Sequence, residues 1–189
     1  MEAATGAAEG DGSGASSDVR IRQHASSEDE ELWRRLLEPT FQAGETYCVP
    51  RDVSKADALA YWCMPPHEVF VARAADADGE GEEGIIGTYF ITPNQPRRGG
   101  GGHVCNCGFI TAAGAEGRGV ARAMLRHALD HAKESGYRAM QFNFVVSTNI
   151  RAVDTWKRAG FQKAGTLPRA FDHPKKGLVD AYVMFRELV

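Results

Sequence analysis

The chain has 189 residues, 43% hydrophobic and 25% charged, with a formal net charge of -3. That length fits one domain with a full core and is short for two. No apolar run could cross a bilayer and no apolar N-terminal segment marks a secretory signal. Residues 1–17 (MEAATGAAEGDGSGASS) hold Gly, Ala, Ser and acids without Lys or Arg. They read as a disordered tail before a domain spanning 18–189. The tail carries the net charge, so the domain is nearly neutral, without an electrostatic footprint for nucleic acid or an anionic membrane. Cys48, Cys63, Cys105 and Cys107 are expected as free thiols in a reducing compartment, the cytoplasm. The C-x-C pair at 105–107 has no second pair to complete a zinc site, so no metal is expected.

In chain order, "DVRIRQH" (18–24) alternates like a strand. "SSEDEELWRRLLEPTFQAG" (26–44) opens with Ser and acids and places Leu32, Trp33, Leu36 and Leu37 at helical spacing, with Pro39 a point to end or kink the helix. "SKADALAYW" (54–62) is a second helix capped by Ser54, and "EVFVARA" (68–74) a strand. The acidic loop 75–84 suits a hairpin before "IIGTYFITP" (85–93). "NQPRRGGGG" (94–102) reads as a flexible loop without regular structure, a mobile hairpin rather than a phosphate cradle. "HVCNCGFIT" (103–111) is a strand. Val120, Ala121, Met124, Leu125, Ala128, Leu129 and Ala132 then form one apolar helical stripe, which ends near Gly136. "AMQFNFVV" (139–146) has few charges and reads as a central strand covered on both faces. "NIRAVDTWKRA" (149–159) is a helix, and "FQKAGTL" (161–167) and "LVDAYVMFREL" (178–188) are closing strands. The order β-α-α-β-β-β-α-β-α-β-β predicts an α/β class, a mixed sheet flanked by helices.

One stretch carries chemistry. Glu116-Gly117-Arg118-Gly119-Val120-Ala121 lies between a strand and an amphipathic helix. The first N–H groups of a helix lack intrahelical partners, and the dipole behind them favours an anion. The glycines let the main chain come close, and Arg118 and Arg122 add positive charge. A P-loop would need Lys followed by Ser or Thr, and a dinucleotide fingerprint a third glycine; both are absent.

With the strand "MQFNFVV", Asn149, Ala152 and Gly160-Phe161, this arrangement resembles the GCN5-related N-acetyltransferase (GNAT) superfamily over about residues 18–189. "IIGTYFITPN", "HVCNCGF", "FNFVVSTN" and "VDAYVMFREL" are similar to the L-azetidine-2-carboxylate (proline-analogue) N-acetyltransferase subgroup. The resemblance implies the acyl-CoA N-acyltransferase fold, a twisted mixed sheet whose central parallel strands splay apart. It implies acetyl-CoA as co-substrate and transfer of acetyl to the amine of a small molecule, an amino acid or proline analogue, with a homodimer compatible.

It places the pyrophosphate on the turn 116–121 and Arg122, with Glu116 departing from the usual Gln or Arg. Pantetheine and the thioester fall on the strand at Phe109, Ile110 and Thr111, and the pantetheine arm also on Asn149. Asn106 and Asn143 fall on the acceptor-handling amides; read as buried, both need hydrogen-bond partners. Trp156 stands where the superfamily often has a Tyr acid and is expected to pack, against the cofactor or otherwise. For the base, His103, Glu45 and a water relay stay open. Two other readings remain: an acetyltransferase for protein or peptide amines with an open, acid-lined groove, and a non-catalytic acyl-CoA sensor.

Overall fold

The computed structural model describes residues 19–75, 82–97 and 99–188. The predicted tail lies outside them. Seven strands form one sheet: β1 (Val19–Gln23), β2 (Glu68–Ala75), β3 (Glu82–Pro93), β4 (Val104–Thr111), β5 (Ala139–Val146), β6 (Gln162–His173) and β7 (Gly177–Glu187). Their order is β1-β2-β3-β4-β5-β7-β6, and only β4 and β5 run parallel. The expected order of elements is observed.

One helix covers the first face. It runs through α1 (Asp29–Leu32), a π-helical turn (Trp33–Leu37) and α2 (Glu38–Ala43). Pro39 does not end it. The wider turn absorbs the proline, because the Glu38 N–H has already moved to the Trp33 carbonyl five residues back. The N-terminal acids act more directly than the serines: Glu28 reaches back to the Ala25 N–H at 3.1 Å. Helix α3 (Lys55–Cys63) starts on Ser54, whose Oγ accepts the Asp57 N–H at 3.1 Å. Leu32, Leu36, Leu37, Phe41 and Trp62 are buried on this face. The indole of Trp62 donates to Thr88 Oγ1 at 3.2 Å, and Thr88 donates to the Phe70 carbonyl at 2.8 Å. Phe90 sits edge-on to Trp62, and a Cβ at Gly108 would overlap its ring. Glycine on β4 is therefore what lets this layer close.

Helices α4 (Val120–Glu134) and α5 (Ile150–Arg158) cover the other face. Val120, Met124, Leu125, Ala128 and Ala132 of the expected stripe are buried, while Ala121 and Leu129 are half-buried. Tyr89, Phe109, Phe142, Trp156 and Phe161 form a continuous aromatic layer here.

Three expectations need correction. β3 already starts at Glu82, so only 76–81 of the acidic loop lies outside the described residues. The glycine loop does join antiparallel β3 and β4, but Gly99–Gly101 form a short 3-10 turn. β6 does not stop at 167. Pro168, Arg169 and Ala170 bulge out, with the Arg169 N–H held by Asp180 Oδ1 at 2.9 Å, and pairing resumes at Phe171. Proline hides this continuation from a sequence pattern, because strand interiors rarely hold it except at bulges.

Candidate active site

The centre of the sheet is open. β4 and β5 pair only at Val104↔Ala139 and Cys105↔Met140, then part. The main chain of β4 can be assigned a side by alternation. The Val104 carbonyl accepts from Asn94, and the Ala112 N–H donates to Ile86, so even-numbered residues turn their polar main-chain groups to β3. Cys107, Phe109 and Thr111 therefore turn theirs into the gap. Ile110 turns its own toward β3. The Phe109 carbonyl has a partner in the gap: the Tyr47 hydroxyl donates to it at 2.8 Å. Burial pushes the Tyr47 phenol far above its ordinary pKa, so it is a hydrogen-bond donor and neither acid nor base at neutral pH.

Asn106 and Asn143 both lie on the α1–α3 face, beside the gap. Asn106 alternates with Cys107 and shares the Gly108 side, which packs on Phe90. On β5, Phe142 turns the other way onto Trp156, and Gln141 donates to Asn143 Oδ1 at 2.8 Å. The premise of two buried amides on a fully covered strand fails: Asn143 is exposed and Asn106 half-buried. The cause is a bulge. Phe142 pairs with Met184 and Val145 with Tyr182, so Asn143 and Phe144 together oppose Val183. Bulges re-aim side chains, and this one presents Asn143 at the rim of the gap.

At the far end of β4 the glycine turn leads into α4. Gly117 and Gly119 both sit at φ +78°, a region that disfavours any Cβ. Gly119 is the N-cap and supplies no side-chain cap, and the first helical bond is the Ala123 N–H to its carbonyl. The N–H groups of Val120, Ala121 and Arg122 are thus left without helical partners, as an anion site requires. Glu116 folds back: its Oε2 accepts the Gly114 N–H at 2.8 Å. That carboxylate is engaged with the main chain of its own turn. Asn149 caps α5, its Oδ1 accepting the Ala152 N–H at 3.3 Å. Trp156 is buried, with ring centroids 5.1 Å from Phe109 and 5.0 Å from Phe142, and packs as expected.

A cleft of about 420 Å³ opens beside Asn149. Its walls come from Glu45 and Thr46 before α3, from Thr148 to Arg151, and from the β6–β7 turn at His173, Lys175 and Lys176. Glu45 and Lys175 bridge it at 2.7 Å. Lys175 holds the Glu45 carboxyl below its usual range, which makes it a weak base. His103 sits before β4, at the paired end of the strand away from the open gap, and its carbonyl accepts from Arg138. Of these two candidates for the base, Glu45 lines the cleft but is paired with Lys175, and His103 lies at the far end of β4. Tyr47 and His173 were missed. The Tyr47 contact joins residues 62 apart in sequence, and His173 reaches the cleft only through the hidden end of β6.

Comparison with known proteins decides the family. The Acetyltransferase (GNAT) family matches residues 30–161. The chain is 32% identical over 155 residues to the N-acetyltransferase aca1 of Schizosaccharomyces pombe, covering 75% of this chain and 72% of that one. The chain belongs to the GNAT family of acetyltransferases.

Among solved structures, a GCN5-related N-acetyltransferase from Kribbella flavida matches with TM-score 0.76 at 36% identity, covering 90% of this chain and 98% of that one. A phosphinothricin acetyltransferase from Sinorhizobium meliloti, solved in complex with AcCoA, shares the fold with TM-score 0.74 at 16% identity, covering 90% and 88%. As a GNAT N-acetyltransferase the protein has the expected mixed α/β fold with splayed parallel strands. Among the described residues, no helix is long and apolar enough to cross a membrane.

Proposed function

We propose that this GNAT enzyme uses acetyl-CoA to acetylate the amine of a small molecule, an amino acid or a proline analogue as in the L-azetidine-2-carboxylate subgroup. The cleft carries this reading. Its volume, about 420 Å³, suits a small ligand. The Glu45–Lys175 bridge spans it, whereas a protein tail needs an open groove. A basic tail would also meet cations there instead of the acids it requires.

The residues fit the co-substrate. The uncapped N–H groups of Val120, Ala121 and Arg122, with the turn at Gly117, Arg118 and Gly119, suit a pyrophosphate. The main chain of Phe109 and Thr111 suits the pantetheine arm, with Asn149 at its side. When bound, the group supplies an activated acetyl thioester. The Phe109 N–H, on the gap side, is then the fixed donor for oxygen charge that grows during transfer. Tyr47 engages the Phe109 carbonyl, which keeps that peptide in one orientation. Asn106 and Asn143 orient the acceptor through neutral donors and acceptors. Trp156 has no acidic proton to give and closes the aromatic layer against water. With Glu45 paired to Lys175 and His103 at the other end of β4, the proton leaves the amine through water.

Thiol release from acetyl-CoA over a panel of amino acids, proline analogues, polyamines and peptides tests this. Release with free amino acids and not with peptides is expected. Release with peptides alone, or with nothing, overturns it.

A further inference from the structure

The cleft beside Asn149 is unbalanced in charge. Lys175, Lys176 and Arg151 line it, and Glu45 is its one carboxylate. Glu45 is taken by Lys175. Neither Lys176 nor Arg151 has an ion-pair partner among the described residues. His173 adds a directed donor. It is only 5% exposed, and its Nδ1 accepts the Lys175 N–H at 3.2 Å. The ring proton then sits on Nε2, which has no acceptor among the described residues. A ring N–H on the cleft wall makes a charge-assisted hydrogen bond with an anionic acceptor. The N-terminus of α5 opens onto the same space, its cap residue Asn149 engaged with Ala152. Two cations, one imidazole N–H donor and a helix N-terminus thus line one cleft whose single carboxylate is already paired.

We propose that the acceptor is an amine carrying two anionic groups, of the dicarboxylic amino-acid class. Its distal acid is held by His173 Nε2–H, Lys176 and Arg151, and its amine is directed to Asn143 and the gap. This deepens the small-molecule reading and rests on it. In the transfer, the amine nitrogen bonds to the acetyl carbon as the carbon–sulfur bond breaks. Of the two protons the ammonium loses, one ends on the thiol and one in solvent. A neutral amide in place of the distal acid loses the charge-assisted hydrogen bonds, which separates the two acceptors by about tenfold or more. A polyamine meets like charge instead.

The test compares glutamate, glutamine, proline and putrescine as acceptors by thiol release, in the full chain and in Lys176→Gln, Arg151→Gln and Lys176→Arg. Glutamate binding in the presence of CoA is followed separately by saturation-transfer NMR. The expected result is kcat/KM about tenfold or more higher for glutamate than for glutamine. The Gln variants should collapse that ratio to about twofold, through KM with kcat little changed, and Lys176→Arg should retain it. Glutamine or proline used as well as glutamate, or a ratio unmoved by both Gln variants, overturns the proposal and leaves the small-molecule reading standing. If no amine releases thiol yet glutamate binds and Lys176→Gln weakens that binding, the anion site stands and the catalytic reading falls. Neither release nor binding overturns both.

Discussion

Gly119 holds φ +78° at the mouth of α4, and the N–H groups behind it have no helical partners. A side chain there is strained by the backbone, and an acid also faces the anion site. Gly119→Glu is expected to abolish acetyl-CoA binding while the fold survives, because a Cβ at this position meets only the end of Arg122. Calorimetric titration with acetyl-CoA checks this; retained affinity removes the phosphate role. Asn143 sits on the bulge, and among the described residues its side chain is bonded by Gln141. Asn143→Ala should lower turnover about tenfold, the equivalent of one lost hydrogen bond in the transition state, with acetyl-CoA affinity nearly unchanged. Turnover equal to the parent places Asn143 outside the site. The glycine turn stood out by its place between a strand and a helix, and the two amides only through the family resemblance. Tyr47 and His173 were not, since a lone Tyr or His acquires meaning only from the carbonyl or cleft that folding brings to it.

Between elements, β2 and the first helix are joined by charge. Arg73 bonds to Glu28 at 2.8 Å and to Glu31. Glu28 also pairs with Arg22 of β1 at 2.7 Å. The Arg22 hydrogen bond, then that of Arg73, outweigh burial and hold the Glu28 carboxyl at about 2, against an ordinary value near 4.5. A lowered folded-state pKa stabilises the fold fully above about 4.5 and loses its effect as the pH falls toward 2. Glu28→Gln should therefore lower stability by about 2 kcal/mol at pH 7, and the difference from the parent should vanish near pH 2. Thermal melts between pH 2 and 7 read this; a gap independent of pH assigns the loss to packing.

The order of strands and helices was legible from periodicity together with cap and turn residues. Two element features were not: the π-helical turn that carries the first helix through Pro39, and the bulge that carries β6 past Pro168. In both, a local rule about proline is met by a small change of main-chain register that no side-chain pattern records.

At the scale of the molecule, the sheet separates two aromatic layers that meet at the gap. Trp62 anchors one, fully buried with its indole on Thr88, and Trp156 anchors the other. Trp62→Ala is expected to destabilise the whole fold by about 3–5 kcal/mol, read as a single shifted urea transition. A small change would show that the first layer repacks. The main-chain groups of Cys107, Phe109 and Thr111 that face the gap carry no side-chain signature in the sequence. Those atoms are the same for any side chain, which is consistent with the fold persisting in a structure only 16% identical.

The bridge from Glu45 to Lys175 joins positions 130 apart. The cleft proposed for the amine is therefore closed by residues far apart in the chain. Until the β6–β7 hairpin docks, the cleft lacks the wall that carries His173, Lys175 and Lys176. β7 is also the partner strand of β5, so a chain without this hairpin would bare an edge of β5 as well as lose one wall of the cleft.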